Sequence, residues 1–136
     1  MRSLDTNILA RFFIDDADDA QAAKQRPAAV AALSGRAFVA VTVLLELEWV
    51  MRGFYTLPRR DVAKVMRALV GIEHITIEDR GTVLTALDAF DAGLDFADAL
   101  HVTRSARAAT FATFDRRLAR SAKRLMLAPA IELLRA

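Results

Sequence analysis

Two hydrophobic patterns alternate along this chain: short continuous apolar runs, and longer stretches in which apolar residues recur with helical spacing. The short runs predict strands, bounded by turn residues, because a strand buried on both faces reads as a continuous apolar segment. The predicted strands are Arg2–Leu4, Ala37–Val41, His74–Ile77, Thr110–Phe114 and, last, Arg124–Leu127.

The periodic stretches predict seven helices, several with a glycine where the periodicity stops. They run from Thr6 to Phe13, from a cap at Asp18 or Asp19 to Leu33, and then over Leu44–Arg52, Pro58–Val70, Asp79–Ala92, Asp95–Arg107 and Arg116–Lys123. The glycines predicted to end helices are Gly35, Gly71 and Gly93. Strands that alternate with helices predict an α/β fold with a parallel sheet covered on both faces.

Length and composition narrow the class of protein. The length of 136 residues predicts one domain that spans the chain. Hydrophobic residues make up 54% of it, which is more than a small soluble monomer needs, so we expect a sheet covered on both faces, a partner surface, or both. There are no cysteines, which excludes disulfides and thiolate metal sites. No segment has the length of a membrane span and no signal peptide is recognisable, so we expect a cytoplasmic protein with no membrane partner.

The net charge of +2 hides an asymmetry between the two ends of the chain. Residues 1–100 carry 11 Lys and Arg against 15 Asp and Glu, whereas residues 101–136 carry 8 against 2. An acidic site beside an arginine-rich segment suits an anionic polymer held by its phosphates. A solvated helix face explains the same charge counts equally well.

Four acids carry the main functional prediction: Asp5, Glu46, Asp98 and Asp115. Asp5 and Asp115 follow apolar strands, and the carboxyl ends of parallel strands are where α/β sheets bind ligands. Glu46 and Asp98 lie near the starts of two amphipathic helices. Carboxylates held close together need a cation between them, and all-oxygen ligands favour Mg²⁺ or Mn²⁺.

Asp5 and Asp115 each have a simpler explanation, because an aspartate before a helix commonly caps it. Their position at the ends of strands is what raises them above ordinary caps. Thr113 lies two residues before Asp115 and so points to the same side of its strand, where its hydroxyl is available to water or phosphate.

Glu46 has to be distinguished from Glu48 on the same predicted helix. Glu46 falls at the edge of the apolar stripe, whereas Glu48 projects from the other side and precedes Arg52 by four residues, the favourable order for a surface ion pair. We therefore predict Glu46 in the site, Glu48 on the surface, and Trp49 in packing rather than chemistry.

Asp95 and Asp98 share one helix face, and Asp95 fits a helix cap with Asp98 at the reciprocal third position. We predict that Asp98 takes part directly and that Asp95 is a cap or supporting group, while His101 has a surface or packing role. A second acidic cluster, formed by Asp15, Asp16, Asp18 and Asp19, lacks the ligand pattern of a calcium loop and predicts a solvated helix start.

Taken together, the motifs resemble those of a PIN-domain nuclease, specifically a VapC-type toxin of a bacterial toxin–antitoxin pair. The resemblance spans the chain and rests on residues 4–7 (LDTN), 44–50 (LLELEWV), 95–101 (DFADALH) and 113–115 (TFD). It implies a three-layer α/β/α sandwich around a central parallel sheet and a Mg²⁺- or Mn²⁺-dependent endoribonuclease. The family's acidic positions match Asp5, Glu46, Asp98 and Asp115, with Asn7 and Thr113 as supporting polar groups.

The resemblance also implies a small cognate antitoxin as inhibitor, and together with the apolar content it suggests a homodimer. Metal chemistry predicts that a carboxylate, either Asp98 or Asp5, orients the attacking water. The charge asymmetry suggests Arg116, Arg117 and Arg120 as contacts to the RNA backbone. Two other readings stay open: a non-catalytic protein-binding module, and a metal-dependent nuclease that acts on DNA. A haloacid-type phosphatase is disfavoured, because its pattern needs a second aspartate where Asn7 stands.

Overall fold

The computed structural model describes residues 1–136, which form two compact units, Met1–Arg80 and Gly81–Ala136. The helices are α1 (Thr6–Phe13), α2 (Ala20–Ser34), α3 (Val41–Trp49), α4 (Arg59–Val70), α5 (Arg80–Asp91), α6 (Phe96–Thr103) and α7 (Arg116–Arg124), with a π-helical segment at Val50–Phe54. The strands are β1 (Arg2–Ser3), β2 (Ala37–Val39), β3 (Ile75–Ile77), β4 (Thr110–Thr113) and β5 (Ala130–Leu133).

The first unit is built on a three-stranded parallel sheet in the order β1-β2-β3. Arg2 pairs with Ala37, and Phe38 pairs with Thr76. Because parallel neighbours need a crossover, helices connect the strands, and their apolar sides supply much of the unit's buried core. The three predicted strands are confirmed, and each is shorter than predicted by one or two residues.

Helix α3 continues directly into the π-helical segment. The predicted helix at Leu44–Arg52 is therefore part of a longer helical stretch that starts at Val41 and ends at Phe54. A π-helical turn changes the angular spacing of the residues after it, and such turns are frequent at functional sites. The periodicity of the sequence gives no sign of this change.

The prediction that Glu48 lies on the surface is wrong. Glu48 is 1% exposed and packs on the buried side of α3 with Leu44, Leu47 and Met51. Relative to Leu44, these residues stand at the spacings of three, four and seven that define one helix face. The predicted ion pair is confirmed: Arg52 Nε donates to Glu48 Oε2 at 2.7 Å, with Nη2 3.4 Å from Oε1.

The second unit holds a two-stranded parallel sheet, β4-β5, with Thr110 paired with Ala130 and Thr113 paired with Leu133. Gly93 follows α5 at φ +108°, a left-handed conformation that favours glycine. The N–H groups of Gly93 and Leu94 close the end of the helix by donating to carbonyls of its last turns. The predicted glycine cap is confirmed.

Two predicted boundaries in this unit are wrong. The strand placed at Arg124–Leu127 is instead the end of α7, where the N–H of Leu125 and of Leu127 return to the carbonyls of Ser121 and Ala122. The last strand is β5, six residues further along. The helix placed at Asp95–Arg107 ends at Thr103, after which residues 104–107 form turns.

Each unit therefore combines helices with parallel strands, and the predicted α/β class is confirmed. The hydrogen-bonded strands form a three-stranded and a two-stranded sheet. None of the helices has both the length and the apolar character that crossing a membrane requires.

We predict that Arg52→Met lowers the free energy of unfolding by about 1–3 kcal/mol, because it leaves the buried Glu48 carboxylate without its cation. Adding Glu48→Gln to that variant should recover part of the loss, since a neutral amide is less costly to bury. Urea unfolding measures both effects. Arg60→Met, at an exposed position on α4, is the control, and an equal loss in that variant would contradict the prediction.

Candidate functional site

Asp5 lies at the junction of the first strand and α1. Its Oδ1 accepts a hydrogen bond from the backbone N–H of Thr6 at 2.8 Å, which makes it the N-cap of the helix. The residue is exposed, and Oδ2 takes no part in this bond. The cap expected from the sequence is confirmed, and it leaves one carboxylate oxygen for a ligand.

Glu46 is exposed on α3 and lines the same cavity as Asp5 and Asn7. This cavity has a volume of about 370 Å³ and lies wholly within the first unit. The structure thus brings together three of the polar residues that the sequence predicted for the site. Glu46 is exposed on α3, whereas Glu48, which was predicted on the surface, is buried.

Thr6 also lines this cavity, and its buried hydroxyl oxygen has no hydrogen-bond partner. A buried hydroxyl without a partner costs free energy, and this oxygen has almost no accessible surface, so it is not itself open to a ligand in the cavity. The exposed groups on this side that can bind a metal ion are the carboxylates of Asp5 and Glu46 and the amide of Asn7. All can offer hard oxygen atoms, which fits Mg²⁺ or Mn²⁺.

In the second unit, Asp115 caps α7. Its Oδ1 accepts from the backbone N–H of Arg117 at 3.0 Å and of Leu118 at 3.1 Å. Its own N–H donates to Thr113 Oγ1 at 3.0 Å, so the threonine predicted as a supporting group holds the turn that presents the acid. None of these three hydrogen bonds uses the second carboxylate oxygen of Asp115, Oδ2.

Asp95 caps α6, and its Oδ2 accepts from the backbone N–H of Asp98 at 3.2 Å. Burial raises the pKa of the Asp98 carboxyl, the carboxylates of Asp95 and Asp115 raise it further, and His101 acts in the opposite direction. Asp98 therefore feels both neighbouring acids. This electrostatic crowding is the condition that a bound cation relieves.

Within the first unit the structure brings Asp5 together with Glu46, and within the second unit Asp95 and Asp115 lie near enough to Asp98 to raise its pKa. No group of three or more Asp, Glu, His or Cys side chains in the structure has the geometry of a metal site. That the four carboxylates share one ion stays a prediction from the sequence.

The rival acidic cluster near the start of α2 is a helix start, as predicted. Asp19 Oδ1 accepts from the backbone N–H of Gln21 and of Ala22, which makes Asp19 the N-cap of that helix. The charges at Asp15 and Asp18 are exposed to solvent.

The sequence argument missed the aromatic side of the cavity in the first unit. Trp49, expected in packing, is 63% exposed, and Phe54 is 71% exposed; both line the cavity that holds Asp5 and Glu46. The sequence does not reveal the π-helical segment. This segment changes the angular position of Phe54 from the one that an ideal α-helix would give it.

Helix α7 carries the predicted cationic residues on its exposed side. Arg116, Arg117 and Arg120 are exposed, whereas Leu118, Ala119 and Ala122 are buried. The spacing of three and four residues places the arginines along one stripe of the helix surface. A stripe of this kind can follow a phosphate backbone.

Comparison with known proteins gives one family. The PIN domain family matches residues 3–124, which include most of the first unit, much of the second and every predicted site residue. The chain therefore belongs to the PIN domain family. No curated protein and no solved structure gives a significant match to it.

PIN domains are generally nucleases that use divalent metal ions. The family thus agrees with the hard-oxygen donors found in both units.

We predict that Asp98→Asn makes the metal-free protein more stable at neutral pH. The folded state holds this carboxyl at a raised pKa, so stability falls as pH rises from the ordinary value of 3.8 through the raised one. The amide lacks this penalty. Its advantage should shrink as pH falls and vanish below 3.8, where the carboxyl is protonated in both states.

Urea unfolding in EDTA, repeated across pH, measures the difference. Asp88→Asn, which neutralises an exposed acid on α5, is the control. A variant less stable than the wild type at neutral pH would contradict the predicted electrostatic crowding.

Proposed function

We propose that the chain is a Mg²⁺- or Mn²⁺-dependent endoribonuclease that hydrolyses RNA phosphodiester bonds. We further propose that it is the toxin of a toxin–antitoxin pair and is inhibited by a small cognate antitoxin. The observation that carries the proposal is the PIN-domain match over residues 3–124, because it joins this chain to a family of metal-dependent nucleases. The choice of RNA and the toxin role rest on the motif resemblance described above.

The proposed metal ligands are Asp5, Glu46, Asp98 and Asp115. A divalent ion, when bound, supplies Lewis-acid activation of water and stabilises the negative charge that develops on the phosphate. Asp5 and Asp115 are supported in this role because each uses one oxygen as a helix cap and keeps the other outside the cap. Asp98 or Asp5 would orient the attacking water, with Asn7, Thr113 and Asp95 as supporting groups.

The proposed contacts to the RNA backbone are Arg116, Arg117 and Arg120. Their exposure along α7 and the excess of cations after residue 100 support this role, since phosphate contacts dominate the affinity of proteins for nucleic acids.

The proposal also includes a homodimer and a cytoplasmic location. The exposed apolar side chains of Leu133 and Leu134, at the end of β5, suit a protein–protein contact.

We predict that the purified chain cleaves total RNA into discrete fragments with Mg²⁺ or Mn²⁺ and leaves it intact in EDTA. Glu46→Gln and Asp98→Asn should each lower the rate by about 100-fold or more, because even outer-shell partners of metal ligands typically contribute about 10- to 100-fold. Gel analysis of the fragments measures both the rate and the cleavage pattern.

Asp15→Asn is the matched control, because it removes an exposed carboxylate that is not among the proposed metal ligands. Cleavage unaffected by EDTA, or equal in wild type and both site variants, would contradict the proposed metal site. Cleavage of single-stranded DNA as fast as RNA would contradict RNA as the proposed substrate, but it would still agree with a metal-dependent nuclease.

We predict that replacing Arg116, Arg117 and Arg120 together with Gln weakens RNA binding and its dependence on salt. Each lost phosphate contact reduces the slope of log affinity against log salt by about 0.7 on a single strand, so the triple variant should lose about two units. Fluorescence anisotropy with a labelled single strand in EDTA measures this slope. Replacing Arg59 and Arg60 on α4 is the control, and an unchanged slope in the triple variant would contradict the role of α7.

A further inference from the structure

The cavity that holds Asp5 and Glu46 has an aromatic side that the proposed chemistry does not use. Trp49 and Phe54 line it and are 63% and 71% exposed. Large aromatic side chains are costly to leave in water, so two of them open to solvent in one cavity indicate a ligand with an apolar face.

Trp49 stands three residues after Glu46, on the same side of α3, so the indole ring and the carboxylate belong to one helix surface. Gly53 lies against the ring: a Cβ added at this glycine would be 3.8 Å from Trp49 Cε2. The backbone of the π-helical segment therefore runs close to the indole, at a distance where a Cβ would make ordinary van der Waals contact.

Phe54 is held in place by its neighbours rather than projecting freely. Its ring meets that of Tyr55 edge to face, with centroids 4.9 Å apart at 85°. The Tyr55 hydroxyl accepts from Arg11 Nη1 at 3.0 Å, and Arg11 Nε donates to Gln25 at 3.0 Å. This chain of contacts, which reaches α1 and α2, orders the aromatic side before any ligand binds.

We propose that Trp49 and Phe54 form a stacking subsite for one unpaired base of the nucleic acid, beside the carboxylates that act on its backbone. This inference rests on the proposed function for its choice of ligand. A nucleobase has the flat, neutral face that aromatic rings bind, and unpaired bases are the parts of RNA that proteins reach most readily. A free phosphate fits the aromatic side poorly, because Asp5 and Glu46 repel it without a cation.

The volume of about 370 Å³ lies at the small end of small-ligand cavities, which suits one or two stacked bases better than a protein segment. Stacking on aromatic rings tolerates any base, because every base has such a face. The subsite therefore selects single-stranded over paired nucleic acid and carries little sequence preference.

The chain offers a direct readout, because Trp49 is its only tryptophan. Intrinsic fluorescence excited at the red edge of the tryptophan band reports on this one ring. The probes are a single-stranded oligoribonucleotide and an abasic phosphodiester of equal length and charge, both in EDTA. We expect quenching by the oligoribonucleotide and none by the abasic polymer. Equal quenching by both probes, or no quenching by RNA, would overturn the proposal. The aromatic pair would then be better explained as a contact to a protein partner.

Kinetics of RNA cleavage by two Trp49 variants separate stacking from simple burial. Trp49→Leu keeps an apolar side chain without an aromatic face and should raise KM by about 5- to 150-fold with little change in kcat. Trp49→Phe keeps a ring and should recover much of the loss. Val30→Ala, at an exposed apolar position outside the cavity, should match the wild type.

The two tests distinguish this inference from the proposed function. A chain that cleaves no RNA but is quenched by RNA and not by the abasic polymer keeps the stacking subsite and loses the proposed activity. A chain that cleaves RNA with the same KM in wild type and Trp49→Leu, and shows no quenching, keeps the activity and loses the subsite.

Discussion

The bond between an aspartate oxygen and the first backbone N–H groups of a helix recurs at three of the predicted acids. Asp5, Asp95 and Asp115 each cap a helix in this way. The first turn of a helix has N–H groups without partners and a partial positive charge, so a carboxylate there stabilises the helix and is held at its start. The same interaction that begins the helices therefore fixes the position and direction of the acids.

In this arrangement the ionised form of Asp98 is destabilised by its neighbours. The residue occupies the first turn of α6, beside Asp95, which caps that helix, and within the field of Asp115, which caps α7. Neither cap can be removed without exposing helix N–H groups, so the repulsion is built into the way the second unit folds. A fold that keeps a half-buried carboxylate against two others is suited to holding a cation, and it loses some stability when none is bound.

The sequence predicted what depends on local rules and missed what depends on packing. Caps at Asp5, Asp19 and Asp115 follow from residue type and neighbours alone, and they are confirmed. Glu48 was predicted to project away from the apolar stripe, but it stands four residues after Leu44 on the buried face, where Arg52 covers its carboxylate. Trp49 differs in the opposite direction, because a large aromatic side chain predicts packing whereas this one is 63% exposed. The convergence of the acids, which depends on long-range packing, remains a prediction.

The two recognition surfaces proposed for this chain would do different work. Arginines along α7 contact phosphates, which every nucleic acid has, and so contribute affinity without distinguishing one sequence from another. An aromatic pair beside carboxylates requires a base that is free to leave its stack, and in a duplex that release costs free energy. A paired target is therefore disfavoured at the reaction site however well its phosphates are held. On this argument, which bond is cut depends first on where the RNA is unpaired, and only then on its sequence.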